Sequence, residues 1–293
     1  MKICMYQKEN IKKVGIFRRE FVIDAQKVIN AMYQISNEEN YSLLRILEFI
    51  KNFENFKLIT EKAEKIFGEE YKNLFAEKDF KLLAPVSREN KIICLGKNYK
   101  EHAKEIGDDT PSEPILFGKF ADCAIGHDES IIYPPFAKRV DPEVELGVVI
   151  GKEGKNIPEE EVEKYIFGYT IANDITEREM EFKDMKMGYP WFRSKNFDTF
   201  MAIGPYIVTK DKISEPHNLH IELRVNSEKR QSGNTQDMIF NIPSHISYIS
   251  KYMKLYPGDI ISTGTVSGIK PVIKGDIIEA EIEEIGILRN YVI

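Results

Sequence analysis

Short apolar runs separated by turn-forming residues dominate the chain from Lys91 onward. Such runs predict β-strands, because a buried strand needs only about four to eight residues between turns. The predicted strands are 91–95, 115–120, 129–133, 143–150, 166–173, 203–208, 219–226, 259–263, 276–283 and 287–292, the last two forming a hairpin. The predicted helices are 98–106, 158–165, 175–186 and 243–253. Many short strands with few helices indicate a mostly-β domain rather than a doubly wound α/β domain.

The first third of the chain has a different pattern, in which helices follow a few strands. The predicted strands are 2–6, 13–17 and 19–23, and the predicted helices are 25–35, 39–54 and 58–67. Asp24 is placed to cap the first of these helices. Pro85 and its polar neighbours then mark a linker. We therefore predict a small α/β N-terminal domain over residues 1–88 and a second domain over 89–293.

Composition and charge exclude several classes of protein. The 293 residues are 42% hydrophobic and 30% charged, and the net charge is -6 without a basic stripe, which argues against a nucleic-acid partner. Three scattered cysteines without a CxxC motif indicate a reducing compartment. The N-terminus lacks the apolar core of a signal peptide, and no run approaches the roughly 20 apolar residues of a membrane helix. We expect a cytoplasmic protein with no membrane partner.

Two acidic residues, Glu143 and Glu145, stand at the start of a predicted apolar strand. Residues two apart on a strand point to the same face, where buried carboxylates repel unless one is protonated or a cation lies between them. An exposed strand end would leave both side chains simply solvated. Asp174 ends the next predicted strand, where it is either a helix N-cap or a third ligand. Three carboxylates without His or Cys suit Mg²⁺, with Mn²⁺ or Ca²⁺ as alternatives.

His102 and Glu105 lie three residues apart in the predicted helix 98–106 and therefore share a face. A carboxylate beside an imidazole raises the basicity of the imidazole and fixes its tautomer, as a general base requires. The same spacing also occurs in surface pairs that have no catalytic consequence. Taken alone, the two residues are better explained as such a surface pair.

Seven stretches of the chain resemble the fumarylacetoacetate hydrolase superfamily, in the family's order and at family-like spacing. They are KIICLGKNYKEHAKE (91–105), PILFGKF (114–120), DPEVELGVVIGK (141–152), GYTIANDITERE (168–179), RSKNFDTFMAIGP (193–205), VNSEKRQSGNTQDMIFNIPSHISYIS (225–250) and PGDIISTGTVSGI (257–269). The resemblance is to short prokaryotic-type members with a small N-terminal domain. It implies an α+β, mainly β fold whose catalytic domain is a mixed β-sandwich roll.

The resemblance also implies a cofactor and a catalytic pair. Its Mg²⁺ or Mn²⁺ site falls on Glu143, Glu145 and Asp174, and the cation holds a small 2-oxo acid substrate. Its His-Glu dyad falls on His102 and Glu105, in a lid that orders over the bound substrate and activates water.

Four further residues take their roles from the resemblance. Lys195 is expected to be catalytic and to stabilise an oxyanion. Lys119, Arg178 and Thr265 are expected to bind substrate. Glu181 departs from the family, because members that cleave carbon-carbon bonds carry Gln near this position and an ionised carboxylate cannot donate a hydrogen bond. Either Glu181 turns away or pairs with Arg178, or the reaction needs no donor there.

The resemblance leaves several reactions open, all of which pass through the enolate of a 2-oxo acid. Hydrolysis of a C-C bond in an acylpyruvate-type compound is the first expectation, because the His102–Glu105 pair and Lys195 both serve attack by water. The alternative is isomerisation or decarboxylation of a 2-hydroxyhepta-2,4-diene-1,7-dioate-type compound from aromatic catabolism. A second alternative is a non-catalytic member that binds a metal or ligand. The resemblance further implies a homodimer.

Overall fold

The computed structural model describes residues 1–36, 45–107 and 109–293, and the elements below are those of the described residues. The helices are α1 (Ala25–Ser36), α2 (Ile46–Lys51), α3 (Phe53–Phe67), α4 (Glu70–Phe75), α5 (Lys100–Glu105), α6 (Arg178–Lys186) and α7 (Ile242–Tyr252). The strands are β1 (Lys2–Lys8), β2 (Ile11–Arg18), β3 (Phe21–Asp24), β4 (Ala76–Glu77), β5 (Lys81–Leu83), β6 (Ile92–Gly96), β7 (Ile115–Lys119), β8 (Ala124–Ile125), β9 (Ser130–Ile131), β10 (Val140–Asp141), β11 (Val144–Ile150), β12 (Ile166–Asp174), β13 (Thr176–Glu177), β14 (Met201–Thr209), β15 (His220–Val225), β16 (Glu228–Asn234), β17 (Ile260–Thr265), β18 (Ile277–Ile282) and β19 (Gly286–Val292).

Two sheets carry most of these strands. The larger sheet runs in the order β4-β3-β2-β1-β14-β12-β11-β17-β6-β7, with β5 beside β1 and β8 beside β14. The smaller sheet runs in the order β16-β15-β18-β19-β9, and β10 pairs separately with β13. The larger sheet is mixed, because β17 is antiparallel to β11 but parallel to β6.

The central strands β11, β12 and β14 are buried at every position, because both faces of the larger sheet are covered. On β14, Ala202 and Val208 pack in the core shared with the smaller sheet. Ile203 and Ile207 pack in a second core, shared with the N-terminal helices. The sequence of a strand that is covered on both faces is typically a continuous apolar run. By contrast, β18 and β19 alternate buried and more exposed residues, as strands with one covered face do.

The N-terminal residues join the rest of the protein through the larger sheet itself. Strand β1 pairs with β14, with Lys2 opposite Val208. The ring of Phe53, at the start of α3, meets the ring of Phe167 on β12 edge-on at 4.9 Å between centroids. Backbone pairing and aromatic packing therefore both cross the boundary predicted at residues 88 and 89, and the division into two domains stays a prediction.

The predicted fold class, α+β and mainly β with two packed sheets, is confirmed. Every strand predicted after Lys91 is present, although β9 is shorter than expected, and β18 and β19 form the expected hairpin. Asp24 caps α1, since its Oδ1 accepts a hydrogen bond from the backbone N–H of Lys27 at 3.0 Å. Within the described residues, no helix combines the length and apolar character needed to cross a lipid bilayer.

Three of the predicted helices are divided, shortened or of another helix type in the structure. The helix predicted over 39–54 is divided at Asn52 into α2 and α3, and its residues 39–44 lie outside the described residues. The segment 158–165 forms a 3₁₀ helix after Pro158 rather than an α-helix. The helix predicted over 98–106 is limited to α5.

The helix predicted to begin at residue 175 begins instead at Arg178, after β13. Its N-cap is Glu177, whose side chain accepts a hydrogen bond from the Met180 N–H at 2.5 Å. Asp174 is therefore not the cap, and its carboxylate has other partners. Strand β16 was not predicted, because its sequence EKRQSGN is polar and it pairs with β15 at the edge of the smaller sheet.

Candidate active site

Three acidic side chains meet where β11 begins and β12 ends. The two strands are antiparallel, so Val144 lies opposite Asn173, and Glu143, Glu145 and Asp174 converge on one point. Each of the three offers a carboxylate oxygen within 4.8 Å of the others. All three side chains are buried. The structure therefore brings together the three residues expected to hold a cation.

Two buried ammonium groups and a guanidinium already contact two of these carboxylates. The Lys195 Nζ donates to Glu143 Oε2 at 2.8 Å and to Asp174 Oδ2 at 2.7 Å. Lys119 donates to the other oxygen of Asp174, and Arg178 donates to the other oxygen of Glu143. Two of the three predicted metal ligands are thus tied to protein cations, and a metal ion fits only if space and negative charge remain.

Space for one ion remains beside the cluster. A cavity of about 20 Å³ is lined by the three carboxylates together with His102 and Thr265, among others. That volume corresponds to about one water-sized sphere, which is enough for a single small cation.

Negative charge also remains. Glu143, Glu145, Asp174 and Glu181 are buried around the cavity, against the buried cations Lys119, Arg178 and Lys195. A fifth buried carboxylate beside them, Asp141, is balanced by Arg139 at 3.0 Å. With all of these buried groups ionised, one negative charge is therefore left over among them. A divalent cation would turn this excess into a single positive charge, which suits an anionic substrate.

Glu145 is the carboxylate that lacks a cation. Burial, reinforced by the charges of Asp174 and Glu143, raises the pKa of Glu145 to about 8. Its Oε2 accepts hydrogen bonds from Ser262 Oγ at 2.6 Å and from the Gly264 N–H at 2.9 Å, and no hydrogen bond to Oε1 occurs among the described residues. Oxygen donors, space and uncompensated charge together fit Mg²⁺ or Mn²⁺ held by the three carboxylates.

His102 lines the same cavity from α5 and is almost fully buried. Its Nδ1 lies 3.4 Å from Glu105 Oε2, a long contact for a hydrogen bond. Glu105 is held more firmly by the backbone N–H of Gly268, at 3.0 and 3.1 Å from its two oxygens. The expected His102–Glu105 pair therefore lies beside the three carboxylates, and Glu105 is hydrogen-bonded to the loop after β17.

Lys119 forms a buried ion pair with Asp174. In addition to that carboxylate, its Nζ donates to the carbonyl oxygens of Ile175 at 3.0 Å and Phe200 at 2.5 Å. Three acceptors match the three hydrogens of an ammonium group. Lys119 thus orients Asp174 in this structure, and a direct contact with substrate stays a prediction.

Arg178 is the centre of a buried ion-pair network. Its Nε donates to Asp141 Oδ2 at 3.0 Å, and its two terminal nitrogens donate to Glu143 and Glu181. Of the alternatives left open for Glu181, the structure has the pairing with Arg178. Lys195 lies 3.7 Å from the other oxygen of Glu181.

Thr265 faces the cavity, but its hydroxyl is already engaged. It donates to the Val144 carbonyl at 2.8 Å and accepts from Gln231 Nε2 at 2.9 Å. Gln231 also accepts from the Val144 N–H at 3.1 Å and so ties β16 to β11. Sequence reasoning did not select Gln231. Its position inside the family-like stretch 225–250 is the signal that could have found it.

Sequence reasoning also missed Lys97 and Trp191, which line the cavity. Lys97 lies inside the family-like stretch 91–105, whereas Trp191 stands outside all seven family-like stretches. The Lys97 ammonium lies 5.3 Å from the centroid of the Trp191 ring. Nothing in the sequence around Trp191 indicated a functional position.

Comparisons with known proteins give the chain's relatives. The family model described as "Fumarylacetoacetate (FAA) hydrolase C-terminal" matches residues 91–293. The mitochondrial oxaloacetate tautomerase Fahd2a of Rattus norvegicus is 46% identical over 218 residues, which are 72% of this chain and 69% of that protein.

Solved structures extend the similarity. Maleylpyruvate hydrolase from Sphingobium sp. SYK-6, in complex with manganese(II) and pyruvate, is 27% identical with a TM-score of 0.79, covering 100% of this chain and 99% of that one. Fumarylpyruvate hydrolase from Pseudomonas aeruginosa, in complex with Mn²⁺ and pyruvate, is 32% identical with a TM-score of 0.68, covering 73% and 91%. The chain belongs to the fumarylacetoacetate hydrolase family.

Proposed function

We propose that the protein is a divalent-metal-dependent enzyme that interconverts the keto and enol forms of a short 2-oxo dicarboxylic acid such as oxaloacetate. The observation that carries this proposal is the buried cluster of Glu143, Glu145 and Asp174, which opens on the same small cavity as His102. A base beside a cation site is the minimum that enolisation requires.

Glu143, Glu145 and Asp174 would hold Mg²⁺ or Mn²⁺, which when bound supplies a Lewis acid for the 2-oxo group. His102 turns Nδ1 toward Glu105, so Nε2 is the nitrogen that takes a proton from C3. The same imidazolium returns that proton to the 2-oxygen, which completes the tautomerisation without a net gain or loss of atoms. Lys195 and Arg178 supply positive charge for the 1-carboxylate.

Two features favour tautomerisation over hydrolysis. Glu181 is a carboxylate paired with Arg178, so it offers no hydrogen bond to an acyl oxyanion, and tautomerisation forms no such oxyanion. The cavity is also small and has Lys97 in its lining, which suits a short substrate with a second carboxylate. The similarity to an oxaloacetate tautomerase supports the same reaction.

Hydrolysis of a C-C bond in an acylpyruvate is the second candidate. It is favoured by the similarity of the whole chain to a maleylpyruvate hydrolase, and by Lys195 beside the cavity, where an ammonium group can stabilise an oxyanion. Isomerisation or decarboxylation of the heptadienedioate from aromatic catabolism, and a non-catalytic metal-binding role, stay predictions that the same experiment tests.

The purified protein is tested with oxaloacetate, an acylpyruvate and the heptadienedioate, each with Mg²⁺, Mn²⁺ or EDTA. We expect faster enol-to-keto conversion of oxaloacetate, followed by ultraviolet absorbance, that EDTA abolishes. His102→Ala at the same protein and metal concentrations is the control, because oxaloacetate also enolises spontaneously.

Release of pyruvate from the acylpyruvate without tautomerase activity would favour hydrolysis, and turnover of the dienedioate alone would favour the isomerase. No turnover of any substrate, with no shift in melting temperature on adding Mn²⁺, would favour the non-catalytic role.

A further inference from the structure

Two aromatic side chains, Phe117 and Trp191, line both the metal-centre cavity and a second cavity on its far side. The second cavity has a volume of about 300 Å³ and lies between β7 and residues 189–192. Its other lining residues are mostly apolar and include Leu116, Pro190 and Phe192. Phe117 and Trp191 therefore form a wall between a polar cavity and an apolar one.

Three contacts hold the Trp191 ring in this wall. Gly96 leaves room for the ring, since a Cβ at that position would lie 2.9 Å from Cη2 and closer still to Cζ3. The Phe117 ring meets it edge-on, with the centroids 5.8 Å apart. The Lys97 ammonium lies over the ring at 5.3 Å from its centroid. The ring position is thus set by β6, by β7 and by the turn that joins β6 to α5.

The sizes of the two cavities indicate what the wall does. About 20 Å³ at the metal centre accommodates an ion or a water, whereas small-molecule sites usually measure about 300–1,000 Å³. Small shifts of side chains would make room for a three- or four-carbon acid, and the apolar cavity beyond Phe117 and Trp191 is adjacent space that a longer substrate could use. Beyond Trp191, the apolar cavity matches an apolar or aromatic distal group.

We propose that Trp191 is the specificity-determining residue that restricts this site to short 2-oxo acids. Removing its indole joins the two cavities and admits 2-oxo acids that carry an aromatic tail. The inference rests on the proposed function, because it places the 2-oxo acid end of the substrate at the metal centre.

The test compares oxaloacetate with phenylpyruvate, two 2-oxo acids that both tautomerise. In Trp191→Ala, the ratio of kcat/KM for phenylpyruvate to that for oxaloacetate should rise by about tenfold or more, because a pocket that gains room for a ring gains binding free energy. Trp191→Phe is the matched control, since it keeps an aromatic ring against Phe117, and its ratio should stay near that of the wild type. An unchanged ratio in Trp191→Ala overturns the proposal.

A binding measurement separates this inference from the proposed function. Calorimetric affinities of the Mn²⁺-loaded protein for oxalate and phenylpyruvate should show the same change of ratio in Trp191→Ala, even if the wild type tautomerises nothing. If both ligands bind and the ratio of their affinities is the same in Trp191→Ala as in the wild type, the proposed role of Trp191 is wrong, although the proposed 2-oxo acid site is supported. If neither ligand binds, the proposed function and the inference fail together.

Fluorescence reports the wall directly, because Trp191 is the single tryptophan of the chain. Gly96→Ala forces the ring out of its place, since the added Cβ overlaps it. We expect a red-shifted emission maximum and a change of selectivity in the same direction as in Trp191→Ala. An emission spectrum and a selectivity both identical to the wild type would contradict the assigned contact.

Discussion

Glu143 and Glu145 lie two residues apart on one strand face, yet the pKa values of their carboxyls are shifted in opposite directions. Burial alone would raise the pKa of both carboxyls. The Lys195 ammonium and the Arg178 guanidinium hold the pKa of Glu143 well below its usual range. The charges of Asp174 and Glu143 instead add to the effect of burial on Glu145. A bound cation therefore compensates Glu145 more than either of its neighbours.

Substitutions at Glu145 and His102 should separate metal binding from turnover. Glu145→Ala should lose both Mn²⁺ affinity and activity, because it removes the ligand that no protein cation compensates. His102→Ala should leave Mn²⁺ affinity nearly unchanged and lower kcat by about 10²–10⁴-fold, the range for loss of a general base. Calorimetry with Mn²⁺ and steady-state kinetics measure the two effects. Undiminished Mn²⁺ affinity in Glu145→Ala would show that the ligand assignment is wrong.

At the scale of elements, the position of His102 depends on how α5 is attached to its neighbours. The buried Asn98 precedes α5, and its Nδ2 lies 2.8 Å from the Thr263 carbonyl on β17 and 3.0 Å from His245 Nε2 on α7. Its Oδ1 accepts from the Phe240 N–H at 2.9 Å. One amide therefore ties the β6–α5 turn to both β17 and the start of α7, and α5 carries His102 from this attachment.

Replacing Asn98 should loosen α5 without removing any group from the cavity. Asn98→Ala should lower kcat on the order of 10²-fold while KM changes far less, because a displaced base affects the chemical step more than binding. Hydrogen exchange of α5 should become faster. Lys104→Ala is the control, since Lys104 is exposed on the same helix and, among the described residues, forms its ion pair with the exposed Glu101. Equal effects of the two substitutions would exclude a positioning role for Asn98.

At the scale of the whole molecule, stability depends on burying groups that must stay neutral. His245 is fully buried on α7, and burial, with a smaller effect of His217, lowers the pKa of His245 to about 3. The unfolded chain binds a proton there near pH 6.5, so below that pH it holds more protons than the native state. The stabilising contribution is complete above pH 6.5 and is lost as the pH falls toward 3.

Urea unfolding in EDTA should show this dependence. Between pH 7 and pH 5, the wild type should lose about 2 kcal/mol more unfolding free energy than His245→Gln, whose amide does not titrate. The half-buried His127 and His217 also have lowered pKa values, and because both residues are present in both proteins their contributions cancel in the comparison. Parallel curves for the two proteins would contradict a buried neutral His245.

Homodimer formation and a cytoplasmic location stay predictions at this scale, as does the absence of nucleic-acid and membrane partners. The continuous larger sheet does show that the N-terminal residues are part of the same packed structure, with β1 paired to β14. Their helices cover the face of the central strands opposite the smaller sheet.

Local patterns in the sequence were enough to predict the strands, the final hairpin and the Asp24 cap. They raised the three-carboxylate cluster only as one alternative, which the family resemblance then favoured. Each depends on residues close together in the chain or on strand ends, where side-chain direction follows from a period of two. The polar β16 escaped prediction because an edge strand needs no apolar pattern.

Only the tertiary structure decided which cations meet the carboxylates and what bounds the cavity. Lys119, Arg178 and Lys195 were expected to act on substrate, but they come from β7, α6 and the loop before β14 and converge on Glu143 and Asp174. Trp191 likewise reaches the cavity through contacts with Gly96 and Phe117, distant in the sequence. Such contacts depend on how the elements pack, because no local period relates residues so far apart in the chain.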